Sequence, residues 1–163
     1  MSMSAIDLIK SRRNIKAFKP DPIDEEAMMG WLEAASFAPN HRCNEPWELL
    51  RIGPETRANL KHKSDFWGAP VVLALLSKPG ATGIERDENV MAAACFAQNF
   101  LLAAHEAGVG TFWSSIGGLP HNRELLGVAE GYEVIGVFGI GYPAEVTAAK
   151  PRTPIGEKIK TLP

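Results

Sequence analysis

From about Glu85 to Glu106 the chain carries alanine at 92, 93, 94, 97, 103 and 104, spread around much of a helix's circumference instead of along one stripe. A helix that is apolar nearly all round is buried on several sides, so this segment has to sit at the centre of whatever forms. Two arrangements satisfy it. Either the rest of the chain wraps it wholly, or a second subunit covers one side, and small Ala side chains permit such a close approach. It is not a membrane span. Gln98, Asn99, His105 and Glu106 interrupt the stretch from Val90 to Ala107, whose apolar part falls short of about 20 residues.

The other segments read as partners for that helix. Ser4 can cap a short helix through about Arg12. Pro20 and Pro22 then force an extended connection. Asp24, with Glu25 and Glu26 behind it, starts a second helix that runs through Trp31 and Ala35 and stops before Pro39. Trp47 to Ile52 predicts a strand ending at Gly53, and Pro54 opens a polar helix towards Lys63. The unbroken apolar run Ala69 to Leu76 is too short for most helices and fits a fully buried strand. Lys78 to Gly83 is turn-rich. Gly108 and Gly110 end the long helix, an extended segment follows to Trp113, and Pro120 starts a short helix towards Gly127. Tyr132 to Tyr142 predicts a buried strand in which Gly136, Gly139 and Gly141 admit close backbone neighbours. The tail from Pro143 holds four prolines, cannot make much core and is expected to wrap over something. No internal repeat or second domain is visible, so residues 1–163 read as one domain with one core.

Composition removes several functions. With 17 basic against 19 acidic residues and a net charge of -2, a large basic face for nucleic acid is excluded. Cys43 and Cys95 cannot make a disulfide framework, and no cysteine/histidine cluster has zinc-ligand spacing, so a reducing cytoplasm is expected. The first residues lack a basic n-region, and Asp7 breaks the apolar stretch after them, so no export signal is expected. There is no GxxxxGK[ST] loop, no GxGxxG after a strand and no GxSxG elbow. A His41/Cys43 nucleophile pair is disfavoured by its two-residue spacing, and His62, His105 and His121 stand apart.

What remains is a set of donor-rich loops: Arg12-Arg13-Asn14, Asn40-His41-Arg42, Trp113-Ser114-Ser115, Gly117-Gly118 and Lys150-Pro151-Arg152. The first has two readings. Arginine forks match phosphate oxygens two at a time, which makes it a phosphate socket; cations also gather at helix C-termini to offset the dipole, which makes it a solvated helix end.

Taken in order, SRRNIKAF, AASFAPNHRCNEPWEL, AAACFAQNFLLAAHEAGVGTFWSSIGG, GIGYP and KPRTP resemble the FMN-dependent nitroreductase family, particularly its small single-domain members. The resemblance covers nearly the whole chain. It implies an α+β fold with a mostly antiparallel sheet flanked by helices, in an intertwined homodimer whose central interface helix is the Ala-rich segment, with two FMN molecules at the interface. It implies further that Arg12, Arg13 and Asn14 hold the FMN phosphate and ribityl chain with Lys150 or Arg152, and that Asn40, His41 and Arg42 lie by the pyrimidine end. Trp113, Ser114 and Ser115 would contact the flavin, and Gly117 and Gly118 would bring a backbone N–H to the ring. Asn14 replaces a more usual serine, and Cys43-Asn44-Glu45-Pro46-Trp47 departs from the Asn-x-Gln-Pro-Trp of larger members. The implied activity is NAD(P)H-dependent: reducing equivalents pass in ping-pong order from NADH or NADPH through FMN to a small oxidised acceptor, a nitroaromatic or quinone. The competing implication is a non-catalytic flavin carrier on the same scaffold.

Overall fold

The computed structural model describes residues 3–163. Among them, four strands form one antiparallel sheet in the order β1-β2-β4-β3: β1 is Trp47–Arg51, β2 Val71–Ser77, β3 Gly110–Ser114 and β4 Glu133–Gly141. The helices are α1 (Ala5–Ser11), α2 (Glu25–Ala35), α3 (Pro54–Asn59), α4 (Gly83–Glu106) and α5 (Pro120–Leu125). The resemblance to an α+β fold with an antiparallel sheet is therefore borne out.

Every residue of β2 is buried, because the strand has helices or loops on both faces and a neighbour along each edge. Val71, Leu73 and Leu75 point into one core with Met28 of α2 and Phe96, Phe100 and Leu101 of α4. Val72 and Ala74 point into the other, with Ile52, Leu60, Phe66 and Val137. That alternation explains the unbroken apolar run at 69–76. Burial of each large side chain contributes about 1.5–3 kcal/mol.

The long helix settles its own question in part. Ala92, Ala93, Ala97 and Ala104 are buried against its own chain, whereas Ala94, Cys95 and Leu102 are half-buried and Met91 is exposed. The chain wraps one side and leaves the other partly open. The helix starts at Gly83, earlier than expected, because the Thr82 hydroxyl accepts from Glu85 N–H at 3.1 Å while Glu85 accepts from Ala81 N–H at 2.8 Å. This is a reciprocal cap of the Thr-x-x-Glu kind. Asp24 caps α2 as expected, accepting from Ala27 N–H at 2.8 Å.

The helix expected to run from Pro54 towards Lys63 stops at Asn59. Lys61 is left-handed (φ 52°), and so are Asp65, Phe66 and Trp67, at φ 45°, 50° and 58°. Such a run is costly for residues with side chains. It is offset by the complete burial of Phe66 and by Arg57, whose Nε donates to Asp65 Oδ1 at 2.6 Å and whose guanidinium also donates to the carbonyls of Ala69 and Asp65. His62 Nδ1 accepts from Phe66 N–H at 3.1 Å, which needs a neutral ring, and burial lowers the His62 pKa to match.

The β2–β4 register shifts between Leu75 and Leu76, which pair with Gly136 and Val134 and leave Ile135 as a bulge. The Ile135 carbonyl accepts from the Trp113 indole N–H at 3.0 Å, and that indole lies where a Cβ on Gly136 would sit. On the same strand a Cβ at Gly139 would meet the Phe66 carbonyl, and one at Gly141 would meet Pro70. The glycines of β4 thus have the close neighbours expected of them. Beyond Ala144, whose N–H donates to the Ala17 carbonyl at 2.9 Å, the tail is exposed throughout, with Val146, Ile155, Ile159 and Leu162 in solvent. Within one chain its start, at Val146, lines a recess beside Arg12 and Arg13, and the rest is exposed.

Gly136→Ala forces the indole off its carbonyl. It is expected to cost about 1–3 kcal/mol, as overpacking does, which a urea titration or a lowered thermal midpoint will measure.

Candidate functional site

The arginine run is fixed in place by backbone bonds to β3. Helix α1 closes with Arg12 N–H donating to the Leu8 carbonyl, and the chain then runs extended beside Thr111. Ile15 N–H donates to the Thr111 carbonyl at 2.9 Å, and Trp113 N–H donates to Asn14 Oδ1 at 3.3 Å. Asn14 therefore joins two of the donor-rich loops, with its side-chain oxygen turned to the protein.

Arg12 and Arg13, with His105, Gly108, Thr111 and Pro143, line a recess of about 200 Å³. Partial burial lowers the Arg12 pKa, and the charges of Arg13 and then Arg152 lower it further. Among the described residues no ion pair ties Arg12, Arg13 or Arg152 to a carboxylate. Arg13 spends one nitrogen on the carbonyls of Lys10 and Arg12, at 2.7 and 2.9 Å. Three guanidinium groups thus repel one another with donors to spare, an arrangement that an anion relieves. The helix-end reading holds as well, since α1 does stop at Ser11. Of the two tail cations, Arg152 is the one whose charge reaches Arg12.

Sequence reasoning passed over His105, which α4 delivers to the same recess. Its Nε2 lies 2.9 Å from Ser11 Oγ, and its pKa is lowered by burial, then by Arg12 and Arg13. The available signal was the glycine stop at Gly108, which puts the last turn of α4 beside the start of β3.

The other loops are differently engaged. Trp113 is 37% exposed, and its ring packs at 4.9 Å from that of Phe138. Ser114 Oγ accepts from Ile116 N–H at 3.3 Å, and the Ser115 carbonyl accepts from Gly118 N–H at 3.0 Å. Gly117 is buried, and a Cβ there would meet Val134 and Val137 at 2.8 Å, so packing alone requires glycine at that position.

Asn40, His41 and Arg42 lie elsewhere. Asn40 braces its own loop, donating to the Ala38 carbonyl at 3.0 Å and accepting from Glu45 N–H at 2.9 Å. Arg42, Cys43 and Glu45 are left-handed, and Asn44 Nδ2 donates to Asn89 Oδ1 at 3.3 Å. His41 and Arg42 are exposed over a concavity of about 580 Å³ shared with Thr82, Glu85, Glu88 and Asn89 from the start of α4. No hydrogen bond joins His41 to Cys43 among the described residues. This concavity is at the far end of the helix from the arginines. At about 1.5 Å per residue, Asn89 and His105 stand about 24 Å apart.

A larger concavity of about 790 Å³ sits beside α3, but its Arg51 and Arg57 are already paired with Glu25 and Asp65. Among the described residues no cluster of His, Cys, Asp or Glu could hold a metal, and no helix is long and apolar enough to cross a membrane.

The sequence profile described as "Nitroreductase family" matches residues 9–65 and 57–142. YfhC of Bacillus subtilis (strain 168), provisionally named an NAD(P)H nitroreductase, is 29% identical over 96% of this chain and 93% of its own. The crystal structure of a nitroreductase-like family protein from Bacillus cereus superposes with a TM-score of 0.90 at 28% identity, covering 99% of this chain and 97% of that one. The NADPH:FMN oxidoreductase of Vibrio harveyi, solved with NAD+, shares the fold at a TM-score of 0.85 and 23% identity, over 96% of this chain and 76% of its own.

Inorganic phosphate should stabilise the ligand-free protein through the arginine recess. At about ten times its dissociation constant the gain is about 1.4 kcal/mol, visible as a raised thermal midpoint, and Arg12→Gln should blunt it.

Proposed function

The chain belongs to the nitroreductase family, and from that premise we propose that it is an FMN-dependent NAD(P)H oxidoreductase working as an intertwined homodimer. The observation that carries this reading is the uncompensated charge of Arg12 and Arg13 in a recess beside β3, with the charge of Arg152 reaching Arg12 from the tail. These residues fit a phosphate monoester, because a planar fork binds two of its oxygens at once and no carboxylate competes.

Flavin, when bound, supplies the two-electron chemistry, taking reducing equivalents from NADH or NADPH and passing them in ping-pong order to a nitroaromatic or quinone-type acceptor. The side chains bind and orient. Arg12, Arg13 and Arg152 hold the phosphate, with Lys150 close by in sequence. Trp113 and Ser114 end β3 and Ser115 follows it, and with Gly117 and Gly118 they would lie next to the ring. His41 and Arg42 would offer hydrogen-bond donors to the pyrimidine end of the flavin. No side chain is required as acid, base or nucleophile.

The length of α4 supports this assembly. His41 and Arg42 cannot share a ligand with Arg12 of the same chain across about 24 Å of rigid helix. Each site is therefore composite, with the arginines of one chain and the Asn40–Arg42 loop of its partner. The half-buried side of α4, carrying Met91, Ala94, Cys95 and Leu102, is the interface, and the exposed tail of one chain lies on the other. The free thiols Cys43 and Cys95 suit a reducing cytoplasm.

Purified protein should be yellow, and anaerobic NADPH or NADH should bleach the oxidised-flavin band, with a nitroaromatic or quinone restoring it. A yellow protein that stays oxidised marks a flavin carrier instead, and a colourless protein that takes up no FMN overturns the whole reading. Arg12→Ala should weaken FMN by roughly 1.5–3 kcal/mol, about tenfold to a hundredfold. Co-expressed Arg12→Ala and Arg42→Ala chains test the composite site: mixed dimers carry one site with both arginines intact and regain FMN, whereas a site within one chain regains none.

A further inference from the structure

His105 has no role in the reading above, yet it sits where an anion would be felt. It rests on the proposal that FMN phosphate occupies the arginine recess. The ring lines that recess with Arg12 and Arg13, and its Nε2 lies 2.9 Å from Ser11 Oγ. A hydroxyl has one proton. The Ser11 hydroxyl also reaches the Leu8 carbonyl at 3.2 Å, so it can give its one proton there and accept from Nε2–H, which is the arrangement an imidazolium requires.

We propose that His105 takes up a proton from solvent when the phosphate of FMN enters the recess, so that it becomes a fourth cation of the site and couples cofactor retention to pH. The charged groups facing His105 are Arg12 and Arg13, from the segment after α1, with Arg152 of the tail acting on Arg12; Glu106, its neighbour on α4, is exposed. Without an anion, burial and then the charges of Arg12 and Arg13 lower the His105 pKa. A phosphate dianion offsets two of the three guanidinium charges and so favours protonation of the ring. The last turn of α4 favours an imidazolium through its dipole equally with and without the anion.

The sign follows from linkage. The proton is bound more tightly in the complex than in the free protein, so FMN affinity rises as pH falls through the His105 pKa of the complex and levels off below that of the free protein. A rise of one unit is worth about tenfold in affinity. Protonation of the phosphate itself, near pH 6, acts the other way, but equally in wild type and variant.

The test compares wild type with His105→Gln, which keeps a donor for Ser11. FMN dissociation constants measured by flavin fluorescence from pH 5.5 to 8.5, with calorimetry in buffers of different ionisation enthalpy, give both the profile and the protons taken up. Wild type should gain affinity relative to the variant as pH falls and should take up the larger number of protons, and riboflavin, which lacks the phosphate, should show neither difference. NMR titration of the His105 ring in the wild-type protein should show its pKa rising on FMN addition, a readout independent of how well the variant folds. FMN bound with matching profiles and an unmoved ring overturns the role of His105 and leaves the cofactor reading intact. No FMN binding by either protein at any pH overturns both.

Discussion

Ala93, Ala97 and Ala104 bring α4 close enough to the sheet for Phe96, Phe100 and Leu101 to reach between the odd-numbered residues of β2. That contact fixes the axis of a 24-residue helix against the one strand buried on both faces, and the other elements take their positions from it. At the helix's C-terminal end the chain re-enters the sheet as β3, and the Arg12–Ile15 segment is laid alongside by the Ile15–Thr111 bond. At its N-terminal end Asn89 holds the 41–44 loop through Asn44, and donates its own amide to the carbonyls of Lys78 and Pro79. The buried polar Asn89 is thus a tie between helix and loops at the N-terminal end of the buried face of α4.

The electrostatics of the two ends differ in kind. Near His105 the partly dehydrated Arg12 stands beside Arg13 and Arg152 with no ion pair to a carboxylate among the described residues, so the folded chain carries a repulsion that a bound anion relieves. Around Asn89, His41 and Arg42 face Glu85 and Glu88 across an open concavity, where both signs are present and water screens them. The first end is built for one charge type, while the second can accommodate ligands of varied charge.

Much of this was legible in the sequence wherever a local rule governs the outcome. Asp24, Pro54 and the glycines after Glu106 mark helix boundaries because capping and backbone freedom act over a few residues. The buried character of 69–76 follows from its unbroken apolar run. The Arg12–Asn14 and Asn40–Arg42 loops stand out as donor-rich, yet their separation does not, since it depends on where α4 places its two ends. The turn at Asp65–Trp67 was unreadable for a similar reason. No glycine or asparagine announces three left-handed residues, and the backbone accepts them only because Arg57, eight positions before Asp65, holds three groups of the loop at once. His105 was missed because its partners, Ser11 and Arg12, lie more than ninety positions away in the chain.

A stiff helix that keeps its two ends apart also separates their histories. Insertions, deletions or substitutions in the loop around His41–Asn44 alter what is grasped at one end while the arginine recess, anchored to β3 and the start of the chain, is left as it was. A scaffold of this kind can diversify its chemistry by changing a few loop residues at a time, without rebuilding its core.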